Sequence, residues 1–312
     1  MTKRQKIIID TDIGDDIDDA FALLFAMRLD FEIIGITTVF EHTVQRARIT
    51  KKLLRDFGCG YENVPVFAGA MTPLAKKPRE YGTLCQYSKE IENEIYTPDS
   101  TDEGDAIDFI INSCKRYGKE LTVIALGPFT NIAKVIIKDK DALALAGDVI
   151  IMGGAFYRQY ADWNVMCDPE AAKIMFDGLK GIHALGADVT HQLKLTEADD
   201  EKICNYNGSS VAVGYVSSLY RLWKGERGRI GILHDPLVIY YAKNRAVCNI
   251  EKTTVATVTE GFARGMTLNV NAYTKAHMNS AYDGFDLTNT HLTANAVDRE
   301  LMICEFMKCF EK

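Results

Sequence analysis

Short runs of β-branched and aliphatic residues alternate with longer helical stretches along most of the chain. Strand-like runs include "KIIID", "GITTV", "LTVIA" and "DVIIM", and amphipathic stretches such as "TVQRARITKKLLRDFG" and "NIAKVIIKD" separate them. Strands that are apolar on both faces are typical of a parallel sheet covered by helices on both sides. The pattern therefore predicts an α/β fold, a single doubly wound and mostly parallel sheet flanked by helices.

The chain has 312 residues and no Pro/Gly/Ser-rich linker, low-complexity stretch or internal repeat. A chain of this length can bury a large core as one unit, so we expect one domain over residues 1–312. Residues 200–233 have the least regular pattern of the chain. Residues 253–285 read as extended segments around a turn, which predicts an antiparallel addition to the sheet or its edge.

Charge and hydropathy limit the possible partners. The net charge is −7, and a chain without a basic stripe does not attract nucleic acid or an anionic membrane surface. The N-terminal apolar run is too short for a signal peptide, and no apolar run reaches the length of a membrane span. The eight cysteines are scattered without metal-like spacing. We therefore expect a cytoplasmic protein with reduced thiols, and small ligands or other proteins remain as its partners.

The stretch "IIIDTDIGDDIDDAFALLFA" places six aspartates within ten positions, between a strand-like run and an apolar helix. Such a cluster repels itself unless it is dispersed, neutralised or bound to a cation. Capping of the helix explains only two or three of the aspartates. An EF-hand loop fails on register, because Phe21 stands where the terminal glutamate belongs. Two alternatives remain: a magnesium phosphohydrolase of the haloacid-dehalogenase type, and a divalent-ion hydrolase.

Polar residues also follow the other strand-like runs. In a doubly wound sheet, ligands bind beyond the carboxyl ends of the strands, so residues that follow the strands share one rim. The candidates at this rim are Asp10, Asp12, Asp18, Asp19, His42, Leu126, Asp162, Asn164, His234 and Asp235.

The aspartate-rich element and six further motifs, in order, resemble those of the inosine-uridine preferring nucleoside hydrolases. The aspartate-rich element is similar to the opening motif of that family, and the likeness continues through "GITTV", "ALGPFTNIA", "IIMGGAF", "ADWNVMCDPEAA", "LGADVTHQLKLT" and "LHDPL". It covers most of the first 240 residues. The resemblance implies a nucleoside hydrolase fold, Rossmann-like in its winding, and calcium-dependent hydrolysis of the N-glycosidic bond of ribonucleosides to ribose and free base.

The resemblance also implies a calcium site. Its ligands would be Asp12, Asp19, the carbonyl oxygen of Leu126 and Asp235, with Asp10 behind Asp12 to orient it. Asp12 would take the proton of the attacking water. Negative charge around the sugar would stabilise a transition state that resembles an oxocarbenium ion.

The substrate contacts follow from the same resemblance. Asp18, Asp162 and Asn164 would hold the ribose, and Met152 would line its face. His234 would be the general acid for the leaving base, although a lone histidine is also often a hydrogen-bonded structural residue. Tyr220, Arg221 and Trp223 would form a wall over the base, although the i, i+3 spacing of the two aromatic residues is equally typical of core positions.

Several positions depart from the family pattern. Glu41 and His42 replace a Gly-Asn pair, so His42 is a candidate sugar contact, and Tyr81 stands where a histidine is expected. Arg158, in a shortened loop, is a candidate contact for an anionic group on the 5' side. Purine or pyrimidine preference stays open, as does a noncatalytic nucleoside or calcium-binding role. The resemblance further implies a homodimer or homotetramer.

Overall fold

A mostly parallel sheet of eight strands forms the centre of the part of the chain that the structure describes. This computed structural model describes residues 4–75, 84–271 and 288–311. The strands of the main sheet are β1 (Lys6–Thr11), β2 (Glu32–Thr38), β3 (Val66–Ala68), β4 (Leu121–Ala125), β5 (Asp148–Met152), β6 (His183–Leu185), β7 (Cys248–Thr253) and β10 (His291–Val297). A separate antiparallel pair consists of β8 (Val255–Thr257) and β9 (Thr267–Asn269).

The order of the strands in the main sheet is β3-β2-β1-β4-β5-β6-β10-β7. Neighbouring strands are parallel, except that β7 runs antiparallel to β10 at the edge. The chain winds outward from β1 to β3 and then returns to the other side of β1 with β4. The winding direction therefore reverses between β1 and β4, and in doubly wound sheets such a reversal opens a crevice at the carboxyl ends of the strands.

Helices cover both faces of the sheet. They are α1 (Asp18–Arg28), α2 (Thr43–Phe57), α3 (Glu103–Tyr117), α4 (Thr130–Lys138), α5 (Ala142–Leu145), α6 (Trp163–Cys167), α7 (Pro169–Gly178), α8 (Ala187–Thr190), α9 (Glu197–Cys204), α10 (Val211–Arg227), α11 (His234–Lys243) and α12 (Arg299–Met307). Of the helices in these described ranges, none is both long and apolar enough to cross a bilayer.

The central strand β1 shows why the apolar runs of the sequence lack a wet face. Ile7 and Ile9 pack into one hydrophobic cluster, and Ile8 packs into a second cluster on the opposite face of the sheet. Successive side chains of a strand point to opposite faces, so a strand covered on both faces must be apolar throughout. The predicted doubly wound sheet is confirmed.

Two expectations about chain segments change. Residues 200–233 are mostly helical, since α9 and α10 occupy much of this range. Ser210 caps α10, and Gly228, at φ 64°, ends it in the left-handed conformation that glycine favours. The antiparallel addition after residue 253 is a separate pair of strands, β8 and β9. Residues 272–285 of that expectation, and Tyr81, lie outside the described residues.

Candidate active site

A cavity of about 470 Å³ opens at the carboxyl ends of β1, β4 and β5. Asp12 follows β1, Leu126 follows β4 and Met152 is the last residue of β5, and all three line the cavity. The N-terminal ends of α1 and α11 contribute further lining residues. This is the crevice that the reversal of strand winding predicts.

Three buried carboxylates meet on one side of this cavity. Asp18 and Asp19 begin α1, and Asp235 is the second residue of α11. One oxygen from each of the three lies within 4.8 Å of the others. The packing of α1 against α11 brings these distant parts of the sequence together. The main-chain N–H of Asp235 donates to the Asp18 carboxylate at 3.3 Å, and the Thr11 hydroxyl donates to Asp19.

Burial disfavours the ionised form of these carboxyl groups. Burial first, and then the charges of neighbouring aspartates, raise the pKa values of Asp12, Asp18 and Asp235 well above the usual range. Burial is also the main reason that the pKa of Asp19 rises to about 6. Several buried carboxylate oxygens close together are the donor set that a hard divalent cation prefers, and a bound cation would reverse these shifts. The residues therefore fit such an ion.

The Asp12 carboxylate lies against the main chain of the neighbouring strand end. A side chain on Gly127 would place its Cβ only 2.8 Å from a carboxylate oxygen of Asp12. Glycine at this position thus allows the close approach. Asp10 was expected to orient Asp12, but its carboxylate accepts hydrogen bonds from Thr37 at 2.6 Å and Asn131 at 2.7 Å. These bonds connect β1 with β2 and α4.

The residues predicted to contact the sugar lie at the cavity wall. Met152, Asp162 and Asn164 all line it. The Asn164 side chain donates to the carbonyl oxygen of Leu126 and, at 3.1 Å, to that of Met152. Asp162 caps α6, since its carboxylate accepts from the N–H groups of Asn164 at 3.1 Å and Val165 at 3.4 Å. The two side chains thereby fix this wall of the cavity.

A chain of polar side chains includes His234. Its Nδ1 lies 2.6 Å from the Thr190 hydroxyl, and its ring meets that of His191 edge to face at 5.2 Å. The Tyr160 hydroxyl lies 3.2 Å from Nδ1 of His191. Burial, and then the positive fields of His191 and Arg229, lower the pKa of His234 to about 3. A histidine that holds a proton near neutral pH was expected, and this environment favours the neutral ring instead.

Five predicted substrate contacts do not line the cavity. Tyr220 and Trp223 are 0% and 1% exposed in the core, where their rings stack 5.8 Å apart, so the structure favours core positions over a wall above the base. Their i, i+3 spacing on α10 turns both rings inward. His42 precedes α2 and is likewise absent from the residues that line the cavity. Arg158 and Arg221 are exposed, and neither lines it.

Other residues reach the cavity without having been predicted to do so. They are Tyr160, Ala161, Trp163, Ala187, His191, Arg227 and Arg229, while Asp15 and Asp16 of the predicted aspartate-rich stretch line it as well. Trp163 and His191 belong to the recognised motifs "ADWN" and "VTHQ", so position within a motif was a usable signal. Arg229 follows the end of α10, pairs with Asp16 at 2.8 Å and lies over the Trp223 ring at 5.5 Å. No local pattern marked that residue.

The sequence matches the family described as inosine-uridine preferring nucleoside hydrolase over residues 7–302, and the chain belongs to that family. Uridine nucleosidase 1 of Arabidopsis thaliana is 31% identical over 277 residues, which cover 85% of this chain and 82% of that protein. The inosine-uridine preferring nucleoside hydrolase of Leishmania major is 28% identical over 277 residues, 85% of this chain and 87% of the relative.

Solved structures agree with this assignment. A plant nucleoside hydrolase superimposes with a TM-score of 0.82 at 27% identity, covering 99% of both chains. A purine-preferring ribonucleoside hydrolase from Gardnerella vaginalis gives a TM-score of 0.75 at 26% identity over 98% of both chains. The protein is therefore an N-glycosidase of the nucleoside hydrolase class. This excludes the haloacid-dehalogenase alternative and the noncatalytic role.

Proposed function

We propose that this enzyme is a calcium-dependent ribonucleoside hydrolase that releases ribose and a free nucleobase. The observation that carries the proposal is the buried cluster of Asp18, Asp19 and Asp235 beside a cavity of about 470 Å³. A cavity of this volume is large enough for a small molecule such as a nucleoside. Membership of a metal-dependent family supports a cation at the carboxylates.

Asp19, Asp235, Asp12 and the carbonyl oxygen of Leu126 would hold the calcium ion. All four residues line the cavity, and oxygen donors of this kind suit calcium. Bound there, calcium supplies a positive charge that acidifies water and orients the sugar hydroxyls. Asp18 lies in the same cluster, so its replacement tests whether it serves the cation as well as the ribose.

The chain's own carboxylates then carry the chemistry at the sugar. Asp12 accepts the proton of the attacking water, because it lines the cavity as a buried carboxylate beside Gly127. Asp18 accepts hydrogen bonds from the ribose, and Asp162, Asn164 and Met152 contact its remaining edge. Negative charge at this end stabilises the positive charge that develops on the sugar as the bond to the base breaks.

The base leaves with the electrons of the glycosidic bond, so negative charge develops on it and a proton donor is needed there. His234 serves as the donor to the departing base, through the ring nitrogen that Thr190 does not contact. Loss of the single proton of a neutral ring would leave an imidazolate, so the acting form carries a proton on both nitrogens. Nδ1–H then donates to the Thr190 hydroxyl oxygen, Nε2–H passes its proton to the base, and a neutral ring is left. His191 and Tyr160 extend the same polar chain and are added to the residues that recognise the base.

Other properties stay predictions of the proposal. They are a single domain over residues 1–312, a homodimer or homotetramer, and a cytoplasmic location. The main sheet joins eight strands, of which β1 is the first and β10 the last along the chain, and this supports a single domain.

The test is release of free ribose from purine and pyrimidine ribonucleosides, 2'-deoxyribonucleosides and 5'-nucleotides. Uridine and inosine come first, since relatives are named for them. Wild type and Asp12→Ala are compared with calcium and after chelation. Hydrolysis that is lost in both the chelated enzyme and the variant supports the proposal. Hydrolysis that survives chelation refutes the calcium requirement, and no turnover of any compound refutes the substrate class.

A second comparison tests the donor at the base. His234→Ala should lose about 10²–10⁴-fold in kcat on uridine or inosine, the usual contribution of acid catalysis. A nitrophenyl riboside, whose leaving group needs no proton, should be hydrolysed at nearly the wild-type rate. Equal losses on both kinds of substrate would show that His234 acts in some other way.

A further inference from the structure

Arg46 is a fully buried arginine directly beneath the loop that carries Asp12. It lies in the first turns of α2, and its side chain is 1% exposed. Its Nη1 donates to the main-chain carbonyl oxygen of Asp12 and, at 3.0 Å, to that of Ile13. Its Nη2 pairs with the Asp15 carboxylate at 2.8 Å. One guanidinium therefore contacts three residues of a four-residue stretch of the loop.

The same side chain also holds the loop that follows β2. Its Nε donates to the carbonyl oxygen of Phe40 at 2.8 Å. Phe40, Glu41 and His42 all have positive φ, at 67°, 46° and 23°. Three successive non-glycine residues in this region are strained, and such a run persists only where its surroundings fix it. Arg46 is one of the groups that fix it.

Stability alone does not account for an arginine here. Burial of a charged group is costly, and well-packed apolar residues often replace buried ion pairs without loss of stability. A guanidinium instead offers donors in a rigid, planar fork, which suits the simultaneous binding of several carbonyl oxygens. The contacts of the Arg46 guanidinium therefore position the loop more than they fill the core.

We propose that Arg46 is a positioning residue that sets the main chain of Asp12, and through it the Asp12 carboxylate, for cation binding and for proton transfer from water. The inference rests on the proposed function. Arg46 fixes the carbonyl side of Asp12, while the absence of a side chain on Gly127 leaves room for the carboxylate on the other side. A carboxylate that shifts out of this place weakens both roles.

The test compares Arg46→Lys and Arg46→Met with wild type. Calcium alone is titrated by calorimetry into protein freed of metal by chelation, and kcat and KM are then measured at saturating calcium. We expect at least about tenfold weaker calcium binding in Arg46→Met, which corresponds to the loss of one good contact. The calcium affinity of Arg46→Lys should lie between those of wild type and Arg46→Met, because lysine keeps the positive charge but lacks the planar fork of donors. At saturating calcium, kcat should fall while KM changes by less than about threefold.

Two control variants on α2 separate this effect from general damage. Arg55 is exposed on the same helix, so Arg55→Met should bind calcium as wild type does. Leu53 is 0% exposed in the core, so Leu53→Ala lowers stability without touching the loop. If Leu53→Ala weakens calcium binding as much as Arg46→Met does, the effect belongs to stability and the inference fails. If Arg46→Met does not fold, Arg46→Lys decides alone.

The outcomes distinguish this inference from the proposed function. Wild type that does not bind calcium refutes the calcium site and the inference with it. Wild type that binds calcium, with Arg46→Lys and Arg46→Met equal to it in affinity and in kcat, refutes the positioning role alone.

Discussion

The carboxylate cluster predicts that removal of one charge stabilises the metal-free enzyme. Asp19 is 4% exposed and shares a 4.8 Å cluster with Asp18 and Asp235. Asn at position 19 has nearly the same shape and still accepts the hydrogen bond from Thr11. Asp19→Asn therefore removes a charge with little change in packing.

The expected magnitude follows from the raised pKa of Asp19. Burial raises it from an ordinary value of 3.8 to about 6, so the ionised carboxylate costs the folded state about 3 kcal/mol at neutral pH. We expect the chelated variant to be about 1–3 kcal/mol more stable than wild type, since the amide also has a cost of burial.

The sign depends on pH in a defined way. Because the folded pKa is raised, the folded state binds more protons, and the cost is absent below about pH 4 and complete above about pH 6. The advantage of the variant in chelator should therefore grow as pH rises through this window and vanish in acid.

Calcium should reverse the ranking. A ligand at a hundredfold excess over its Kd stabilises the folded state by about 2.7 kcal/mol, and Asp19→Asn should lose most of this gain. Urea unfolding in chelator and in calcium measures both quantities for each protein. Asp141→Asn, at an exposed aspartate, is the matched control and should change neither quantity. If Asp19→Asn is less stable than wild type in chelator above pH 6, the charge is not destabilising and the reasoning is wrong.

Three further perturbations test other parts of the structure. His291 is 1% exposed, and burial lowers its pKa from 6.5 to about 4. The free energy of unfolding of wild type should therefore fall by about 3 kcal/mol as pH falls across that range. Urea unfolding of His291→Leu should show a weaker dependence of this free energy on pH. The hydroxyl of Tyr220 donates to Asp200 at 2.6 Å in the core, so Tyr220→Phe should cost about 1–3 kcal/mol in unfolding free energy and leave KM unchanged; a raised KM would return this ring to the substrate. Gly127→Ala would bring a Cβ to 2.8 Å from the Asp12 carboxylate and 2.7 Å from buried Val39, so kcat should fall by about 100-fold, and urea unfolding separates this from a loss of stability; unchanged kcat in the folded variant would show that Asp12 tolerates displacement.

The sheet and the rim of the site were predictable because both depend on local sequence patterns. Apolar runs such as Ile7–Ile9 identify strands buried on both faces, and the residues that follow parallel strands must meet at one edge. Asp12, Leu126 and Met152 come together in this way. The same rule placed Asp235 at the rim, and the resemblance to a family then gave it the role of a metal ligand together with the first motif.

The wall predicted to cover the base was harder to predict, because it depends on the rotation of a helix about its own axis. Trp223 and Tyr220 were placed over the substrate, but the rotation of α10 buries both rings and leaves Arg229, beyond the end of that helix, at the cavity. The role of Arg46 is a similar case. A lysine- and arginine-rich amphipathic helix predicts exposed charges, and only the packing of α2 against the loop shows that one of these is buried.

The separation of the acidic residues along the chain has a consequence for biosynthesis. Asp18 and Asp19 leave the ribosome more than two hundred residues before Asp235 completes the cluster. Native contacts between such distant segments close late, because long loops must be ordered first. The nascent chain can therefore build β1 and α1 while Asp18 and Asp19 remain hydrated and apart from Asp235. The repulsion that Asp235 adds appears only when α11 docks onto α1, so calcium bound by all three carboxylates would act on the last stage of folding.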